Sequence, residues 1–198
     1  MTISERSLQR LLDKEEIRDV MYQWSRGVAR KDWDLVKSCY AEGARDNHGT
    51  VNSDVDGFLD WMRGYHQFIE QVIFYSTNLI IEFVDDDHAF VESHGISFQR
   101  HGPEARAARA SFLGPEWIDR EIALNIYFSG RKLDEFARTK EGWRITQRTQ
   151  VYEAVRAEPA TDGLKGSTDD LLVSRRDDMD ALYAARERAG LSRKARLF

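Results

Sequence analysis

The sequence predicts an α+β fold: a strongly curved antiparallel sheet with three N-terminal helices over its concave face, enclosing a conical cavity. Three observations lead there. Apolar residues recur at helical spacing through the first third of the chain. From Gln71 the period shortens towards two, and the segments that follow are rich in β-branched and aromatic residues. Turn sequences, Asp85-Asp86-Asp87 and Lys140-Glu141-Gly142, then punctuate the strands.

The first helix is expected over residues 14–30. Asp13 is its proposed N-cap, and Glu16 stands three residues on, the spacing of a capping box. Ile17, Val20, Met21, Trp24 and Val28 form its buried stripe. A shorter helix follows over 32–40, ended by Gly43, Asn47 and Gly49. A third begins after Asn52-Ser53-Asp54 and carries Phe58, Leu59, Met62, Tyr65, Phe68 and Ile69 on one side. Strands are expected at 72–84, 89–99, 121–139 and 143–155. Residues 101–120, with two prolines and an Ala/Arg-rich centre, read as an insertion holding one helical turn. Residues 157–168 read as a linker, and 169–188 as a last helix followed by a basic tail, frayed or docked on a neighbouring subunit. The expected organisation is one domain at 1–156 and a C-terminal linker, helix and tail at 157–198.

Composition narrows the function. A net charge of −5 argues against a chain-wide nucleic-acid surface, which needs clustered positive charge. No apolar run approaches the ~20 residues that span a bilayer, and Met1 to Arg10 lacks a signal peptide's apolar stretch, so the expectation is a cytoplasmic protein without membrane contact. A single cysteine, Cys39, permits neither an internal disulfide nor a cysteine zinc cage. Ten Phe, seven Tyr and five Trp predict a pocket walled by rings.

Three blocks carry a resemblance. LLDKEEIRDVMYQWSRGVARKDWDLVKSCYAEGARDNHG resembles the opening of the SnoaL-like branch of the nuclear-transport-factor-2-like (NTF2-like) superfamily. IFYSTNLIIEFVDDDHAFVES resembles its first long strand pair, and GRKLDEFARTKEGWRITQRTQVYEA its closing hairpin. The match spans roughly 11–100 and 123–155. Scytalone dehydratase and hexachlorocyclohexane dehydrochlorinase, which the chain resembles, use a His–Asp pair as the base of an elimination. The aspartate of that pair falls on Ala29 and the histidine on Phe74, so both members are missing here. The resemblance further places an arginine at Arg148, an aspartate at Asp134, and Lys132 where an aromatic is usual.

If Lys132 points inward, as the resemblance implies, strand alternation puts Asp134 and Phe128 on its face, and the neighbouring strand adds Arg148, Gln150 and Tyr152. Asp46 and His48, two apart in extended sequence, face the same cavity. Tyr22 and Arg26, four apart on the first helix, complete the expected site together with Phe74. Lys132, His48, Asp46 and Arg148 are the expected catalytic groups: a desolvated lysine titrates low, histidine moves protons near neutrality, and arginine holds an anion. No cofactor or metal is expected. His66, His88 and His101 read as surface residues, and His94 as facing away from the cavity.

These groups suit a cofactor-independent lyase acting on a hydrophobic, hydroxylated aromatic small molecule. Dehydration through a quinone-methide intermediate is the first expectation, and the resemblance adds an optional loss of formaldehyde, which NTF2-like lyases carry out on lignin-derived diarylpropane diols. A dehydratase or isomerase of a steroid or polyketide, and a non-catalytic ligand-binding protein, are the alternatives. Phe90, Ile96 and Phe98 on the convex side predict a homodimer or homotrimer.

Overall fold

A computed structural model describes residues 4–161 and 171–197. Helix α1 (Glu5–Arg30) opens the chain, followed by α2 (Trp33–Ser38), β1 (Tyr40–Asn47), β2 (Asn52–Asp54) and α3 (Val55–Tyr65). Two long hairpins come next: β3 (Ile69–Phe83) with β4 (His88–His101), and β5 (Leu124–Thr139) with β6 (Gly142–Pro159). Between the hairpins lie the short helices α4 (Arg106–Ala110) and α5 (Pro115–Ile118), and α6 (Ala181–Arg188) closes the chain.

The six strands form one open, curved sheet in the order β2-β1-β6-β5-β4-β3, the α+β architecture expected. Neighbours are antiparallel except β1 and β6, which run parallel. Register breaks at Thr77/Ile80, Ser129/Gly130 and Glu135/Phe136 bend the long strands, as bulges do. At Gly130 a Cβ would lie 2.2 Å from the Val151 carbonyl, so the bend requires glycine.

The buried stripe of α1 (Ile17, Val20, Met21, Trp24, Val28) packs with Phe58, Leu59 and Met62 of α3 against Val91, Phe136, Trp143 and Ile145 of the sheet. Ile96 stands 51% exposed on the convex face, with Phe90 and Phe98 half-buried beside it. Among the described residues no helix is long and apolar enough to cross a membrane.

Several boundaries differ from those expected. Helix α1 starts nine residues before 14 and is capped by Ser4, whose hydroxyl accepts from Ser7 N. Asp13 and Glu16 are therefore interior helix residues, and both carboxylates bond the β5–β6 hairpin instead of their own backbone. Phe68 lies beyond the end of α3 and is 44% exposed, while Ile69 opens β3. Strand β6 continues through Pro159, so the division at 156/157 falls inside a strand. The C-terminal helix begins at Ala181; residues 162–168 of the expected linker and 169–170 of the expected helix lie outside the described residues. The tail folds back on its own chain, where Leu197 packs against the main core.

Residues 101–120 are held from within. Arg109, fully buried, donates from Nη1 to the Arg120 carbonyl and from Nη2 to the Gly102 and Ile122 carbonyls. That pinning presses Phe112 onto Tyr65, Phe128 and Tyr152, so the insertion supplies one wall of the cavity.

Candidate active site

Sheet register assembles a buried layer of charge behind the cavity. Arg148 on β6 stands opposite Asp134 on β5 and Asp46 on β1. Its Nε–H donates to Asp134 Oδ1 at 2.6 Å and its Nη2–H to Oδ2 at 2.9 Å, a bidentate pair fully shielded from water. Burial alone would lower the guanidinium's pKa, but Asp134, with Tyr40 and Asp46 behind it, raises it. The guanidinium also lies 4.3 Å from the Trp24 ring centroid.

A second chain of polar contacts runs from that layer to the cavity. Trp24 Nε1–H donates to the Tyr40 hydroxyl at 3.0 Å, and Tyr40 O–H donates to Asp46 Oδ2. The other carboxylate oxygen, Oδ1, accepts from His48 Nδ1–H. Burial opposes ionisation of Asp46, yet His48, Arg148 and the Tyr40 hydroxyl together hold its carboxyl below the usual range. The His48 ring packs on Phe58, 4.8 Å between centroids, and its backbone N–H donates to the Val51 carbonyl. With Nδ1 committed to Asp46, Nε2 is the edge that His48, a cavity-lining residue, has free for a ligand.

Lys132 reaches the same cavity from β5 and is buried. Its Nζ sits 4.0 Å from the Phe74 ring centroid and 5.0 Å from that of Trp24. Desolvation, reinforced by Arg148, brings its pKa down to about 7, although Asp134 and Asp46 pull the other way. Phe128, Gln150 and Tyr152 line the cavity with it; the Tyr152 phenol is pushed up by burial and by Asp46.

The fold and these positions can be set beside known proteins. A SnoaL-like domain model matches residues 9–149. This chain belongs to the SnoaL-like family. Solved structures agree on the NTF2-like fold. A scytalone dehydratase-like protein from Novosphingobium aromaticivorans is 15% identical with a TM-score of 0.61, covering 75% of this chain and 89% of that one. A LinA type 3 hexachlorocyclohexane dehydrochlorinase from Novosphingobium barchaimii is 17% identical with a TM-score of 0.63, covering 80% and 99%. No protein of curated function is a significant match to the sequence.

In this SnoaL-like chain the two positions expected for a His–Asp pair are inert. Phe74 offers a ring face to Lys132, and Ala29 packs in a small cluster with Tyr65 and Ile69. A His–Asp pair exists nonetheless, on the segment from β1 into the following turn.

Other expectations need correction. Tyr22 is 48% exposed and Arg26 lines a crevice with Tyr183 and Arg186, so neither reaches the cavity. Both are rotated away from the buried stripe of α1. Asp46, Asp134 and Arg148 are buried behind the wall and do not line it. Asp46 orients His48, and Asp134 neutralises Arg148. His66 and His101 are buried, not superficial; burial and nearby Arg176 keep His66 neutral, and burial with Arg109 brings His101 down to about 3. Sequence reasoning missed Tyr40 and Trp24, and also the row Tyr65–Gln99–His101, in which Tyr65 O–H and His101 Nε2–H both donate to Gln99 Oε1. Continuing the strand alternation Gly95, Ser97, Gln99 by one step would have found His101. Asp46, His48 and Asp134 make no metal cage, because Arg148 occupies both Asp134 oxygens; among the described residues no three such ligands converge.

Proposed function

We propose that the protein is a lyase that eliminates water from a hydroxylated aromatic small molecule by acid–base catalysis. The observation that carries this reading is the Tyr40–Asp46–His48 chain, which leaves one imidazole edge free in an aromatic cavity that also holds Lys132. Aromatic walls select a flat, apolar substrate, and few polar groups remain to orient it.

For a para-hydroxybenzylic alcohol the steps balance as follows. The Lys132 amine takes the phenol proton, and the electron pair flows through the ring to expel the benzylic oxygen. Protonated His48 gives its Nε2 proton to that oxygen, which leaves as water, and a quinone methide remains. Where a neighbouring carbon bears a hydroxymethyl group, neutral Nε2 then takes its O–H proton. Formaldehyde departs, the carbon–carbon electron pair restores the phenolate, and the Lys132 ammonium returns the phenol proton. The sequence is redox-neutral. Asp46 fixes the tautomer and stabilises the imidazolium, the role a carboxylate plays behind a catalytic histidine.

The inert residues at Ala29 and Phe74 favour a second reading, a ligand-binding protein without chemistry. Product masses separate them. Incubation with phenolic diols and hydroxysteroids is expected to yield products lighter by water, or by water and formaldehyde. His48→Gln is expected to slow that release by about 10²–10⁴-fold. Ligand retained at unchanged mass would establish the binder, and unchanged mass with an altered retention time an isomerase.

A further inference from the structure

Lys132 combines four properties that elimination does not require together. It is buried, and its Nζ lies on aromatic faces. Asp134, the acid two residues along its own strand face, is committed to Arg148 through both oxygens. The wall beside the amine is also kept bare: a Cβ on Gly95 would stand 3.3 Å from Nζ and 3.3 Å from the Phe74 ring. Such an amine, desolvated by burial and with no ion-pair partner among the described residues, is the type that attacks carbonyl carbon.

We propose that Lys132 forms a reversible imine with an apolar aldehyde or ketone held in the cavity, with His48 serving the proton transfers. The free amine attacks the carbonyl carbon, and a proton moves from nitrogen to oxygen to give a carbinolamine. Protonated His48 gives its Nε2 proton to the hydroxyl, which leaves as water, and the nitrogen lone pair closes the iminium. One carbonyl and one amine are consumed, one water is released, and His48 is left neutral. Hydrolysis reverses each step. This activity stands apart from elimination, which involves no carbonyl substrate and no bond to nitrogen.

Burial supports the chemistry, since with a pKa of about 7 the amine is free in a large fraction of molecules at neutral pH. The groups that bear on it are Arg148 from β6, Asp134 from β5, and Asp46 from β1. Trp24 of α1, Phe74 of β3 and Ser93 of β4 face it without charge.

The test is reductive trapping. Full-length protein at about neutral pH is incubated with 4-hydroxybenzaldehyde, benzaldehyde or acetophenone and sodium cyanoborohydride, whose hydride converts an iminium into a stable secondary amine. Peptide mass mapping then locates the label. Among the lysines, one added group per chain is expected, on Lys132, favoured over ordinary surface lysines on the order of 10³-fold because their amines are almost wholly protonated; label on the terminal α-amine is scored apart by the same mapping. Lowering the pH from about 7 to 6 is expected to slow trapping roughly fivefold, as the free-amine fraction falls. Gly95→Val, which crowds Nζ while retaining the lysine, is expected to suppress the label, and Lys132→Arg to abolish it. Labelling absent from Lys132 with all three carbonyls, or spread over surface lysines and unchanged in either variant, overturns the proposal. Elimination is scored separately on phenolic diols without hydride, so either activity can fail while the other stands.

Discussion

Lys132 loses its hydration on folding and gains aromatic faces in exchange for water. Because burial, with Arg148, lowers its pKa from 10.5 to about 7, the folded protein binds this proton less tightly than the unfolded chain does. Between those two values the unfolded state carries the extra proton, so stability rises with pH across that window. Below about 7 both states are protonated and the penalty is complete, at most about 5 kcal/mol. Lys132→Met, close in volume and uncharged, is therefore expected to stabilise the fold below about pH 7, with the gain shrinking towards pH 10. Denaturant unfolding of both proteins at several pH values measures it; a gain that does not depend on pH would mean that the charge is not the cause. Loss of turnover alongside gained stability would identify a residue kept for chemistry.

At the scale of elements, the position of α1 over the sheet is fixed by two acids. Asp13 Oδ1 accepts from Gln9 Nε2 at 3.0 Å, Arg138 Nη2 at 2.8 Å and Trp143 Nε1 at 3.2 Å. Glu16 Oε1 accepts from Trp143 N at 2.8 Å, and it approaches Gly142 so closely that a Cβ there would stand on top of it. Gly142 is needed twice, for that approach and for its φ of +96°. Asp13→Ala leaves the buried Trp143 Nε1–H without its acceptor and takes one acceptor from the partly exposed Arg138, which keeps Asp87 and the Asp86 carbonyl, so a loss of about 2 kcal/mol is expected in denaturant unfolding. An unchanged midpoint would show that the latch contributes nothing.

The same latch shows where the sequence was legible and where it was not. The stripe from Ile17 to Val28 and the alternation around Lys132 report local periodicity, which the chain carries openly. Asp13 and Glu16 have the spacing of a cap but spend their oxygens on a hairpin more than a hundred residues away. The first turns of α1 expose Leu8, Leu11 and Leu12, so no buried stripe marks them. Strand β1 hides for a related reason: Asp46, a charge, occupies an inward position where alternation looks for an apolar residue. Its partner Tyr40 lies in the buried layer behind the cavity wall, placed there by the parallel pairing of β1 with β6, a long-range fact.

At the scale of the molecule, one arginine ties the C-terminal segment to the base of the cone. Arg176 donates from Nη2 to the Val28 carbonyl at 2.8 Å, from Nε to the Ala29 carbonyl at 3.0 Å, and from Nη1 to the Ile69 carbonyl at 2.9 Å. Val28 and Ala29 lie in the last turn of α1, where the helix dipole favours a cation. His66 Nδ1, kept neutral by burial and by Arg176 itself, lies 3.0 Å from Nη2. Burial and Arg30 bring the guanidinium down to about 9, which still leaves it charged at neutral pH. Asp180, paired with Arg30 at 3.4 Å, and buried Tyr183 hold the following turns. Since Val28 and His66 also line the cavity, the end wall of the site depends on this attachment. Arg176→Ala should cost on the order of 3 kcal/mol, because it strips three buried carbonyls of a charged donor. Hydrogen exchange should accelerate over 171–197 and at the end of α1, while β4, β5 and β6 keep their protection. Arg176→Lys should not restore it, since an ammonium cannot span acceptors on two elements as a planar guanidinium does. Unaltered exchange in the alanine variant would show that Asp180, Tyr183 and Leu197 seat the segment without it and that the arginine is dispensable.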